Sequence, residues 1–138
     1  MKVKGIHHIG VAVKNLEESL ARWQSLFAVE AGSLEEIPER GVRLTHLAFG
    51  QGPSLELVSP LGSDSPVARF LEKRGEGIHH LTLEVENLES VMEWLKGAGL
   101  TFTDEKPRRG AGGSLVAFVH PQSLNGVLLE LREEKHGS

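Results

Sequence analysis

The chain has 138 residues, no cysteine, and a formal net charge of −4 with a sequence pI near 6.0. This length suits one domain with its own buried core, and the lack of cysteine excludes disulfides, thiolate metal sites and a cysteine nucleophile. There is no basic field for nucleic acid and no apolar run of transmembrane length, and Met1-Lys2-Val3-Lys4-Gly5 lacks a signal peptide's apolar stretch; the expectation is a cytoplasmic protein that binds neither nucleic acid nor membrane.

Residues 5–13 read as a strand with Ile9, Val11 and Val13 on one face and His8, Gly10 and Ala12 on the other. Asn15, with Glu18 three positions on, predicts a helix N-terminus, and Leu16, Leu20, Trp23 and Phe27 carry the helix over 16–27. A weaker strand signal follows near 29–34. Two strands over 42–50 and 54–59 are then joined by the turn residues Gly50-Gln51-Gly52-Pro53. Ser65 as cap and Pro66 at the first helical position open a short helix bearing Val67, Phe70 and Leu71, which runs into the polar stretch Glu72 to Glu76. A strand over 78–85, a helix over 88–97 capped by Asn87 and packed through Val91, Trp94 and Leu95, and strands near 100–103, 114–119 and 126–132 complete the chain. The stretch from Asp104 to Gly113 reads as a glycine-rich, basic loop.

The second half of this series repeats the first. Gly5-Ile6-His7-His8 recurs as Gly77-Ile78-His79-His80, and Asn15-Leu16-Glu17 as Asn87-Leu88-Glu89, at a constant offset of 72 residues. Leu55-Glu56-Leu57 recurs as Leu129-Glu130-Leu131 at an offset of 74, a net insertion of two residues. The chain is therefore an internal duplication: module 1 covers about 3–62, module 2 about 76–133, and 63–75 connects them within a single domain. Each module reads as βαβββ, so the fold class is α+β, with two curled sheets closing a cavity between them.

Strand alternation selects the residues on the cavity side. In the second copy Leu81, Leu83 and Val85 form the packing face, leaving His80, Thr82 and Glu84 opposite, as His8, Gly10 and Ala12 are in the first. His7 and His79 share parity with the packing residues. Glu56 and Glu130 each lie between two core leucines and so point to the sheet's other face, where a buried carboxylate must meet solvent, a proton or a cation. Each residue taken singly also fits a hydrogen-bonded edge histidine or a solvated glutamate. The same two residue types at equivalent positions of both copies instead predict a divalent metal held by His8, Glu56, His80 and Glu130. Oxygen and nitrogen donors without sulfur suit six-coordinate Co2+, Mn2+, Ni2+, Fe2+ or Zn2+.

These residues resemble the vicinal oxygen chelate superfamily, whose members pair βαβββ modules around a metal held by His and Glu or Gln from both modules. The resemblance spans nearly the whole chain. Within the superfamily, Pro60-Leu61-Gly62-Ser63-Asp64-Ser65-Pro66-Val67-Ala68, the Gly77-Ile78-His79-His80 start, and the ending from His120-Pro121 through Gly126-Val127-Leu128-Leu129-Glu130 are similar to the methylmalonyl-CoA epimerases. That likeness implies metal ligands at His8, Glu56, His80 and Glu130, with Co2+ foremost among the ions, a further role for Glu130 in proton transfer, an acyl-CoA substrate, and a homodimer. The implied activity interconverts the (R) and (S) forms of methylmalonyl-CoA through an enolate whose oxygens the cation chelates.

The sequence departs from that family at Leu44, where some members carry a second carboxylate. His46 shares its strand face and is the substitute proton carrier, with a packed or strand-end histidine as the other reading. The basic loop from Lys106 to Gly113 either meets CoA phosphates or is an ordinary solvated loop. Glyoxalase I carries the same four ligand types, but its ending reads Asp-Pro-Asp-Gly where this chain has His120-Pro121. A drug-sequestering relative would not need the full ligand set, and a ring-cleaving dioxygenase would use two His and one carboxylate on iron.

Overall fold

The computed structural model describes residues 3–134. In chain order these form β1 (Val3–Ala12), α1 (Leu16–Phe27), β2 (Glu30–Ala31), β3 (Glu35–Ile37), β4 (Val42–Ala48), β5 (Ser54–Pro60), α2 (Pro66–Arg74), β6 (Gly77–Val85), α3 (Leu88–Gly97), β7 (Arg108–Arg109), β8 (Leu115–Val119) and β9 (Leu129–Glu133). The α+β class and the repeated strand, helix, strands plan are those expected.

All three helices begin at the caps read from the sequence. Asn15 Oδ1 accepts from the Glu18 N–H at 2.9 Å, and its repeat Asn87 accepts from the Ser90 N–H at 3.0 Å. Ser65 Oγ accepts from the Ala68 N–H at 3.1 Å, with Pro66 in the first turn. In each case an extended cap residue satisfies an amide that the first helical turn leaves without a partner.

The chain divides into two compact units: one runs from His8 to His79, and the other from His80 onward together with the start of β1 through His7. In the first, β5 pairs with β1 in parallel and with β4 antiparallel, and β2 and β3 both pair with β4. Its core joins Val13, Leu16, Leu47 and Leu57, against which Leu20 and Trp23 of α1 pack. In the second, β9 pairs with β6 in parallel and with β8 antiparallel, and β7 extends β8. Val85, Leu88, Val91, Met92, Ala117, Val119, Leu129 and Leu131 form its core. These are the leucine and valine faces that alternation assigned to packing.

Several elements depart from expectation. The strand near 29–34 is two short pieces, β2 and β3, separated by Gly32 to Leu34, and β3 runs into Pro38, which opens a short 3-10 turn. The strand near 100–103 reduces to one bridge, Phe102 to Val119. β9 begins at Leu129 because Asn125 and Gly126 hold φ of 54° and 77°, backbone no strand accommodates. The loop from Asp104 contains β7, paired to β8. Gly110 is required there, since a Cβ would lie 2.6 Å from Val116 Cγ1. Trp94, expected to pack, is 62% exposed: it sits on the outer side of α3, while Leu88, Val91 and Met92 turn inward. Among the described residues no helix is long and apolar enough to cross a membrane.

Candidate metal centre

In the unit from His8 to His79, the parallel register sets Gly10 opposite Glu56 and Val11 opposite Leu57. Leu57 therefore joins the helix-packed core and Glu56 points to the other face, where His8 also lies. Both are nearly fully buried, at 3% and 4% exposure. Glu56 Oε2 lies 3.2 Å from His8 Nε2 and 2.9 Å from His46 Nε2. His46 reaches it because the antiparallel register places it directly across from Glu56 on β4. The two imidazole rings are 5.1 Å apart, centroid to centroid. A single carboxylate oxygen thus collects two nitrogens, and His46 remains about a third exposed.

The unit from His80 onward repeats this ladder with different neighbours. Thr82 stands opposite Glu130 on β6, and Phe118 stands opposite it on β8. Glu130 is 6% exposed and Thr82 fully buried. The Thr82 hydroxyl donates to Glu130 Oε1 at 2.5 Å, a short, charge-assisted geometry, and His80 Nε2 lies 3.5 Å from the same oxygen. The Phe118 ring meets the His80 imidazole edge-on at 6.1 Å. Glu84, next on this face, pairs with Arg132 at 2.6 Å.

Among the described residues, one ligand atom each from His8, Glu56 and His80 falls within 4.8 Å of the others. All three residues are buried. Two imidazole nitrogens and one carboxylate oxygen, without sulfur, form a donor set that fits a divalent first-row transition ion, and the low exposure explains why such groups need a cation. This is a divalent metal-binding site. Glu130 lies outside the three-residue group and is linked to it through His80.

Both parities read from the sequence hold: His8 and His80 face inward beside the glutamates, while His7 and His79 are more exposed than His8 and His80. Leu44, on the same face as His46, is a buried apolar residue across from Val58. The sequence reading passed over Thr82 and Phe118. Thr82 was placed on the correct face, but its hydroxyl gains meaning only from the register with β9. The signal for finding it was the non-identity of the copies: its counterpart at the 72-residue offset is Gly10.

A profile of the Glyoxalase/Bleomycin resistance protein/Dioxygenase superfamily matches residues 7–118. Over 129 residues the chain is 37% identical to the mitochondrial methylmalonyl-CoA epimerase of Bos taurus, covering 93% of this chain and 73% of that one. The crystal structure of methylmalonyl-CoA epimerase from Mycobacterium tuberculosis superposes with a TM-score of 0.92 at 32% identity, covering 96% of this chain and 89% of the other. A methylmalonyl-CoA epimerase in complex with methylmalonyl-CoA and NH4+ superposes with a TM-score of 0.94 at 29% identity, covering 98% and 97%.

Proposed function

Because the chain belongs to the Glyoxalase/Bleomycin resistance protein/Dioxygenase superfamily and, within it, to the methylmalonyl-CoA epimerases, we propose that it interconverts the (R) and (S) forms of methylmalonyl-CoA by exchanging the proton alpha to the thioester. The observation that carries this reading is a buried carboxylate, Glu130, set beside a histidine of the metal-binding group.

His8, Glu56 and His80 hold the ion in this proposal, with Glu130 as fourth ligand and Co2+ as the preferred metal ahead of Mn2+, Ni2+, Zn2+ and Fe2+. A divalent cation so held supplies Lewis-acid polarisation of the substrate oxygens, on the order of several kcal/mol of stabilisation for the charge that develops there. The rest of the chemistry falls to side chains. Glu130 takes the alpha proton on one face; the C–H electron pair moves into the bond to the thioester carbon as negative charge gathers on the carbonyl oxygen. At 6% exposure the carboxylate is screened from bulk water, which protects the developing carbanion from adventitious protonation.

Inversion needs a proton returned from the opposite face. His46 is the proposed donor, supported by its position opposite Glu56 and by its partial exposure, which connects it to solvent protons. Leu44, on the same face, has no exchangeable proton to offer.

The two modules act as one domain in this reading, and the working protein is a cytoplasmic homodimer free of nucleic acid and membrane, which sedimentation velocity of the metal-loaded protein tests. The decisive assay of the activity is deuterium entry at the alpha carbon of methylmalonyl-CoA in D2O. Metal-loaded protein should exchange and epimerise it; turnover of the methylglyoxal–glutathione adduct without any exchange of the CoA ester overturns the proposal in favour of glyoxalase chemistry.

A further inference from the structure

We infer that Thr82 is a positioning residue for Glu130: its buried hydroxyl holds Oε1 and fixes the plane of the carboxylate that exchanges the proton. The inference rests on the proposed role of Glu130 as base. It begins from a difference between the copies. The residue paired with Glu56 in the parallel ladder is Gly10, and the residue paired with Glu130 is Thr82. Glycine offers no side chain to a carboxylate, so Glu56 takes its partners from imidazoles at 2.9 and 3.2 Å. Thr82 offers one hydroxyl, fully removed from solvent, and spends it on Glu130 Oε1 at 2.5 Å.

The choice of residue has physical consequences. A β-branched side chain in a strand has few accessible rotamers, so the hydroxyl direction is set by the backbone. A carboxylate on a long glutamate chain is otherwise free to rotate about its last bond, and a base must approach its proton along a narrow line. The cross-strand bond restricts that rotation. At 2.5 Å it is shorter than the 3.5 Å separation between His80 Nε2 and the same oxygen, and Phe118, across from Glu130 on β8, has no hydrogen-bonding side-chain group.

Two substitutions test this. Thr82→Val keeps the shape and deletes the hydroxyl; Thr82→Ser keeps the hydroxyl. At saturating divalent metal, Thr82→Val should lower kcat for alpha-proton exchange by about tenfold to a hundredfold with KM unchanged. Thr82→Ser should stay within about threefold of the parent, the conservative rescue that a purely packing role does not predict. In the metal-free protein, the 13C carboxyl resonance of Glu130, identified by its loss in Glu130→Gln, should move in Thr82→Val and hold in Thr82→Ser. Equal losses of kcat in both variants, or an unmoved resonance in Thr82→Val, overturn the inference. A parent protein that exchanges no alpha proton at all overturns the epimerase reading instead, and the resonance still decides whether Thr82 holds Glu130.

Discussion

The two units place a glutamate at the same point of the same ladder and then surround it differently. Glu56 sits between a glycine and a histidine, Gly10 and His46; Glu130 sits between a threonine and a phenylalanine, Thr82 and Phe118. One carboxylate oxygen has two imidazoles at 2.9 and 3.2 Å; the other carboxylate takes the Thr82 hydroxyl at 2.5 Å, with its one imidazole, His80, farther off at 3.5 Å. In the proposed function both glutamates hold the ion and only Glu130 also moves a proton; the difference in neighbours fits that division, since a hydroxyl donor orients a carboxylate without adding a further charge beside it.

The strongest attack on that division exchanges each carboxylate for its amide. Glu130→Gln should keep the fold, by circular dichroism, and lower alpha-proton exchange by about 10⁴-fold. Glu56→Gln, which keeps an oxygen ligand, should cost no more than about tenfold at saturating metal. Equal losses would erase the distinction between the units.

Converting one unit's neighbour into the other's sharpens it. His46→Phe copies Phe118 onto β4 and should lower epimerisation by about a hundredfold while deuterium still enters one epimer through Glu130. Loss of exchange from both epimers would show that His46 supports the metal site and carries no proton.

The histidines should behave alike where the glutamates do not. His8→Ala and His80→Ala are each expected to weaken divalent metal binding by more than about tenfold, read by elemental analysis after dialysis. Chelation of the parent should abolish exchange, and added Co2+ should restore it. An intact metal content in either variant removes that histidine from the site.

The smallest expected effects concern an ion pair from each unit. Arg43 Nη2 donates to Glu17 Oε2 at 2.5 Å between α1 and β4, and the hydrogen bond holds the Glu17 carboxyl below its usual range. A lowered carboxyl pKa gives stability that is present at neutral pH and lost as pH falls through that lowered value. Glu17→Gln should therefore shift Tm by about a degree at pH 7, with the gap closing in acid and in high salt, since both side chains meet solvent. Glu84→Gln removes the charge of the less exposed pair and leaves one acceptor oxygen for the two donors, Arg132 and the Glu134 N–H, so its Tm should fall further, by about several degrees, and resist salt. A larger shift for Glu17→Gln would reverse that ranking.

Much of this was legible in the chain itself because the relevant rules are local. The period-2 alternation around His8, His80, Glu56 and Glu130 needs only a strand to be true, and Asn15, Ser65 and Asn87 cap helices through contacts three residues away. The short strands were not legible. β3 and β7 have too few residues to show a period, and they exist because β4 and β8 offer them an edge. Trp94 fits the spacing of a core residue in α3, but nothing in the spacing says where the buried arc of the helix ends.

By itself, then, the sequence determined the duplication, the α+β plan, and which histidine and glutamate of each copy face inward, since repeat offset and strand parity are properties of the chain. Only the tertiary structure decided what each glutamate meets. Glu130 and Thr82 are 48 residues apart, and their bond at 2.5 Å depends on a parallel register that no local pattern encodes. Register is settled by the packing of whole strands against helices, and one residue of slip would have turned Thr82 into the core.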